Sequence, residues 1–259
     1  EGIFTARLKM YEYHSRLQES PIKPEEILID VIRRLIGDAR HIAVGANSPI
    51  PAAASFLARQ ERQGALVSLQ QSPENNLWTD GGRELFDAAG QGRIDVFFFS
   101  GAQIDGSGNI NLVAIGDYER PTTRFPGSYG SAYLYFMVPK IILFRTEHSR
   151  RSLVERVDFI SAPGVSPPHV FRRGGPVALV TPHCHFAFDP AKARFRIETI
   201  HPGHSLEEVL DNTGFTFDYS PTPATTPPPS EDTLSLLRGP VAAELHRIYP
   251  KFAAKVFPK

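Results

Sequence analysis

The segment HIAVGANSPIPAAASFLARQERQGALVSL spans residues 41–69 and alternates two patterns. His41–Gly45 is a short apolar run without polar alternation, as in a strand buried on both faces. Ala46–Pro51 holds Asn, Ser and two prolines, the composition of a turn. Ala52–Gln63 is alanine-rich and reads as a helix, and Ala65–Leu69 is a second apolar strand. Working outward, Pro24–Ile36 places Ile27, Leu28, Val31, Ile32 and Leu35 on one helical stripe. Pro24, Glu25 and Glu26 suit its first turn, and Gly37 ends it. Downstream, residues 82–89 predict a short helix, and residues 94–99, 140–144 and 177–180 predict further buried strands. Continuous apolar strands alternating with helices predict an α/β fold: an open, mainly parallel sheet with helices on both faces.

The totals agree with a soluble enzyme-sized chain. It has 259 residues, with 28 basic and 28 acidic side chains. This balance argues against nucleic-acid and polybasic membrane partners, which need clustered positive charge. No apolar run reaches the length of a membrane span, and no signal-peptide pattern is visible at the first residues. A single cysteine, Cys184, excludes an internal disulfide and fits a reducing, cytoplasmic setting.

Past residue 176 the pattern is less regular. Residues 194–200 (RFRIETI) alternate as a half-exposed strand does, and residues 215–219 (FTFDY) alternate again. Between them, Ser205-Leu206-Glu207-Glu208 is a capping box opening a helix that closes near Gly214. Residues 221–229 (PTPATTPPP) read as an extended linker, and a helical tail follows, broken at Gly239-Pro240. The expected organisation is an N-terminal extension over 1–23, an α/β domain over 24–220, and a Pro-rich linker with a helical tail over 221–259. The apolar Val241, Leu245, Ile248, Tyr249 and Phe252 of that tail predict an interface.

In a parallel sheet, ligands bind beyond the carboxyl ends of the strands. Three polar loops fall there. Gly45–Pro49 leads into a helix N-terminus, where Ser48 and free N–H groups could meet an anion or a carbonyl, or where Ser48 or Asn47 merely caps the helix. Gln70–Asn76 follows the second strand. Residues 101–131 carry six glycines, with Gln103, Asn109, Asn111, Arg120 and Arg124. Gly106–Asn111 lacks the third glycine of a dinucleotide fingerprint. Pro126–Gly130 lacks the first glycine of a nucleophile elbow, which leaves Ser128 with Asp158 or Asp189 and His201 a weak hydrolytic triad. His183, Cys184, His185, His201 and His204 cluster in sequence, but no carboxylate completes a ligand set and no zinc spacing is met, so no metal is expected.

The order of these segments resembles the β subunit of class I (glutaconate-type) CoA-transferases. The resemblance rests on IDVFFFSGAQIDGSGNINLVAIG (94–116), on Arg124-Phe125-Pro126-Gly127 with Gly130, and on the Gly45–Pro49 turn. It extends to RSLVERVDFISAPG (151–164), His201-Pro202-Gly203 and Thr213-Gly214-Phe215, and covers about residues 25–220. It implies an acyl-CoA bound at the junction with an α-type subunit, in an αβ or α2β2 assembly, with coenzyme A as substrate and no other cofactor. Gly108, Gly127 and Gly130 would bring backbone N–H groups to the thioester. Gln103, Asn109 and Asn111 would add side-chain donors, and Arg120 and Arg124 would pair with a carboxylate or phosphate.

Two departures stand out against the family pattern. The resemblance implies a nucleophilic glutamate just after a strand, which would form an acyl anhydride and then a CoA thioester. Here Gln70 or Gln71 holds that place, and Glu74 is the displaced substitute. Tyr129 stands where the family loop has glycine, and its bulk would narrow the site. The expected activity is CoA transfer between carboxylates. The alternatives are hydrolysis without a glutamyl intermediate and a non-catalytic subunit that completes a partner's site. One branch similar to this chain opens rings of steroid-derived cyclic β-diketone CoA thioesters by such hydrolysis.

Overall fold

A computed structural model describes residues 21–258. Most of the expected N-terminal extension therefore lies outside the described residues. The first elements follow the sequence pattern: α1 (Pro24–Ile36), β1 (His41–Val44), α2 (Pro49–Glu61), β2 (Leu66–Leu69), α3 (Gly81–Gly90) and β3 (Val96–Phe99). Helix α2 begins three residues before the expected Ala52. Its Pro49 and Pro51 sit in the first turn, where a missing N–H costs the helix nothing. Then come β4 (Gln103–Ile104), β5 (Ile110–Asn111), β6 (Ala114–Ile115), β7 (Thr123–Arg124), α4 (Ser131–Met137) and β8 (Lys140–Phe144). The chain closes with β9 (Pro176–Val180), β10 (Cys184–Asp189), β11 (Arg194–Ile200), α5 (Leu206–Asn212), β12 (Ala224–Thr225), α6 (Glu231–Leu236), a π-helical turn (Leu237–Val241), α7 (Ala242–Ile248) and α8 (Pro250–Val256).

Eight strands form one sheet in the order β12-β11-β10-β9-β8-β3-β1-β2. Strands β2, β1, β3, β8 and β9 run parallel, while β9-β10-β11 is an antiparallel meander. The fold is α/β with a mixed, mainly parallel sheet. Successive strand residues feed two separate cores, which is why the strands are continuously apolar. Ile42, Val44, Val96, Phe98 and Ile142 face α1 and α2. Ala43, Phe97, Ile141 and Leu143 face α3 and α4.

The C-terminal segments differ from the expectation. Residues 215–219 make no strand. Phe215 and Phe217 are buried among Phe186 and Phe195, and only Asp218 bridges to β11, through Asp218 N to Phe195 O (2.9 Å) and Ile197 N to Asp218 O (2.8 Å). Alternation recorded burial there, not pairing. The proline-rich segment contributes β12, paired with Thr199 and Ile200, and its Pro227 and Pro228 carbonyls accept from Arg34. The tail turns back onto α1 and α2. Leu237, Val241, Leu245 and Tyr249 are buried in that core, with Ile248 and Phe252 packed against it. Its apolar face is therefore spent within the chain rather than left for a partner. Glu26, fully buried on α1, binds Arg238 of the π turn through two contacts of 2.6 and 2.8 Å, and also accepts from Lys23 N.

Candidate functional site

A cavity of about 870 Å³ opens at the carboxyl edge of the sheet. The residues just after all five parallel strands line it: Ala46–Pro49 after β1, Gln70 after β2, Ser100 after β3, Thr146 after β8 and Pro182 after β9. The chain leaves β1 toward β2 on one side and reaches β3 on the other, so the cavity sits at a topological switch point. Its walls are mostly apolar: Phe97, Phe98, Phe99, Phe144, Leu85 and Leu134, with Phe252 from α8. Among the described residues its one carboxylate is Glu25, held 3.1 Å from Lys255, which also lines the mouth.

The expected site residues divide. Ser48, Gln70 and Tyr129 line the cavity. Ser48 makes no capping bond; its hydroxyl donates to Ala46 O (3.2 Å). The start of α2 is also poor in donors, because Pro49 and Pro51 lack N–H groups and Asn47 N is taken by Gln71 Oε1 (2.7 Å). Gln71 is thus a strut of the turn. The loop after β2 folds back through Ser72, whose hydroxyl accepts from Asn75 N and Nδ2, and this turns Pro73 and Glu74 outward. Glu74 is exposed, pairs with Arg247 at 3.4 Å and does not line the cavity.

The amides of the glycine-rich loop brace one another and do not line this cavity. Gln103 Nε2 donates to Asp158 (2.9 Å), and its Oε1 accepts from Asn111 Nδ2 (2.7 Å) and Asp158 N (2.9 Å). Asn111 also bonds Ala114 O, Val113 N and Ala114 N. Asn109 ties the buried Asp105 carboxylate to Gly164 N. Gly108 takes a φ of 73° in the turn between β4 and β5, and its carbonyl accepts from the buried Tyr135 hydroxyl at 2.6 Å. Asn109→Ala is therefore expected to cost about 2 kcal/mol of stability, for two lost bonds, while leaving KM for an acyl-CoA unchanged. Denaturant melts and steady-state kinetics read the two separately.

Arg120 and Arg124 lie on the exposed β6–β7 hairpin, outside the cavity. Arg124 donates to Tyr118 O (2.9 Å) and stacks on that ring. Gly127 is exposed, and Gly130 opens α4 at a φ of 67°. Tyr129, 72% exposed, also has positive φ, and its ring covers Gly82 and Phe86 at the mouth. Tyr129→Gly is expected to leave the melting temperature nearly unchanged. Relief of about 1 kcal/mol of left-handed strain offsets about 1 kcal/mol of lost ring contact. KM should rise roughly fivefold, the value of one lost methylene-sized contact.

The triad is not assembled: Asp158 serves Gln103, Asp189 caps the turn at Ala191 and Lys192, and His201 bonds Thr226. Cys184 is fully buried, and burial raises its thiol far above the usual range, so it is no nucleophile.

Residues 23–212 match the coenzyme A transferase family. The chain belongs to that family. It is 36% identical over 132 residues to the B-type subunit of the glutaconate CoA-transferase of Acidaminococcus fermentans, covering 48% of this chain and 49% of that one. It is 29% identical over 160 residues to the cholesterol ring-cleaving hydrolase IpdB subunit of Rhodococcus jostii, covering 60% and 62%. The chain thus spans between about half and three fifths of these curated relatives' length. The crystal structure of the decarboxylase AibA/AibB superposes with a TM-score of 0.71 at 27% identity, over 92% of this chain and 100% of that one. Phe252, Lys255, Pro182 and Thr146 are among the cavity residues that sequence reading missed. Each looked like core, tail or turn, and only the closing of the tail over α1 brings Phe252 and Lys255 to the mouth.

Proposed function

We propose that this chain is the B-type subunit of a heteromeric CoA-transferase-family enzyme, that it binds an acyl-CoA thioester in the switch-point cavity, and that it acts without a glutamyl intermediate of its own. The observation that carries this reading is the strand end itself: where β2 runs into the cavity the side chain is Gln70, and Glu74 faces solvent. An un-ionised amide cannot attack a thioester, but its N–H can hold the developing oxyanion. The apolar walls favour a bulky, uncharged acyl group over a short dicarboxylate, since the one lysine at the mouth already pairs with Glu25. The hydrolase and decarboxylase names of two similar proteins support a reaction that needs no enzyme-bound CoA ester. An A-type subunit would complete the site and supply the base that activates water.

CoA transfer between carboxylates is the second reading, favoured by the name of the 36%-identical relative. The test is trapping. The complex with its A-type partner is incubated with acyl-CoA, then treated with hydroxylamine or borohydride and analysed by mass spectrometry. No adduct on this chain, with free acid or cleaved product accumulating, is expected. A modified Glu74 would overturn the reading in favour of transfer.

A further inference from the structure

Beside the cavity, where β9 and β8 end, three imidazoles stack. His148 and His183 have ring centroids 4.4 Å apart at 11°, and His183 and His204 lie 4.3 Å apart at 27°. The inner ring is fully committed. Thr213 donates its hydroxyl proton to Val209 O (2.7 Å), so the 2.9 Å contact to His148 Nε2 must run from the ring to Thr213. His148 Nδ1 lies 2.8 Å from Thr181 Oγ1, whose hydroxyl also faces Cys184 O at 3.1 Å. The outer two rings are different. His183 Nε2 lies 3.6 Å from Glu208 Oε1, and His204 Nδ1 lies 2.9 Å from Glu208 Oε2. One ligand atom from each of His183, His204 and Glu208 falls within 4.8 Å of the others. Their side chains are 15, 28 and 38% exposed, so the point they surround is open to solvent on one side.

We infer that His183, His204 and Glu208 form a binding site for a divalent transition-metal ion of the zinc type. Two neutral imidazoles and one carboxylate are a donor set such ions take, with the open side left for water. The backbone holds the three donors in place. His183 N donates to Thr181 Oγ1 (3.3 Å), His201 N to His183 O (2.8 Å), and His204 N to His201 O (3.2 Å). Ser205 caps α5 through Glu208 N (3.1 Å). Binding at His204 Nδ1 moves the single proton of that neutral imidazole by tautomerisation to Nε2, so none is released. The nearest competing explanation for the cluster is a helix-cap contact between His204 and Glu208, which accounts for that pair but not for His183.

The groups behind the donors set the strength. His183 Nδ1 is buried and has no hydrogen-bond partner among the described residues. Metal-bound histidines usually donate that proton, and its loss weakens a site by roughly 10- to 100-fold. The site is therefore weaker than one whose histidine keeps that partner. Its structural effect is to clamp the turn Thr181–His183, whose Pro182 lines the cavity, to the start of α5.

The test is calorimetric titration of the untagged full chain with Zn²⁺, with Co²⁺ absorption as a second readout. One saturable site per chain with a tetrahedral-type cobalt band is expected. Glu208→Gln and His183→Ala should each weaken it at least roughly tenfold, while His185→Ala, outside the cluster, leaves it unchanged. Glu208→Gln keeps the Ser205 cap, and circular dichroism confirms its fold. No saturable uptake at micromolar metal, or uptake that Glu208→Gln leaves intact, overturns the assignment.

Discussion

Gln70→Ala is expected to lower kcat/KM of the complex about 100-fold while leaving the fold intact. Gln70 is placed by its own backbone, whose N–H donates to Val44 O at 3.2 Å across the β1–β2 pair. Its side-chain amide has no hydrogen-bond partner among the described residues and lines the cavity. Losing it should cost stability no more than about 0.5 kcal/mol, as at other half-exposed positions. Losing one oxyanion donor, by contrast, typically removes about 3 kcal/mol of transition-state stabilisation. The loss should fall on kcat rather than KM, because the carbonyl oxygen gains its charge only in the transition state. Gln70→Glu extends the test. It places a carboxylate at the strand end that lines the cavity, and a hydroxylamine-sensitive adduct appearing on this variant alone would show that position 70 can hold a nucleophile. An unchanged kcat/KM in Gln70→Ala would remove Gln70 from the chemistry.

Glu26→Ala is expected to destabilise the chain by about 3 kcal/mol, because it strips the bidentate carboxylate from a buried guanidinium. In a domain of this size that is a melting-temperature drop of roughly 6–12 °C. The same carboxylate accepts from Lys23 N at the start of α1, so the substitution also releases a helix cap. The consequence reaches the cavity. Glu26 and Arg238 tie α1 to the tail, and α1 and α8 bring Glu25, Lys255 and Phe252 to the mouth. The variant should therefore also raise KM at temperatures where it remains folded. Replacing both partners with apolar residues of similar volume should cost much less than Glu26→Ala, since no buried charge is left behind. Equal losses in the single and double variants would contradict the role given to the pair.

The strand–helix order was legible because burial on both faces leaves a mark in composition. Residues 42–44, 96–99 and 141–144 are apolar without alternation, which only a covered sheet requires. The proline-marked start of α2, the Ser205 cap of α5 and the period-two β11 are local physics and carried their own signals, although the Glu208 carboxylate turns to His204 instead of closing the capping box. Membership in the CoA-transferase family rested on motif order, which is also a property of the chain alone. What failed in reading were features whose meaning depends on a distant partner. A run of glycines and amides looks the same whether it meets a ligand or braces itself. Gln103, Asn109 and Asn111 became a brace because Asp105, Asp158 and Gly164 close on them across the fold. Glu74 and Gln70 are four residues apart, and only the turn at Ser72 sends one to solvent and leaves the other in the cavity. His183 lacked a carboxylate in sequence and found Glu208 in space. Local periodicity and turn chemistry thus determined the elements and their order. Tertiary packing decided which polar side chains spend their hydrogen bonds internally and which keep them free for a ligand.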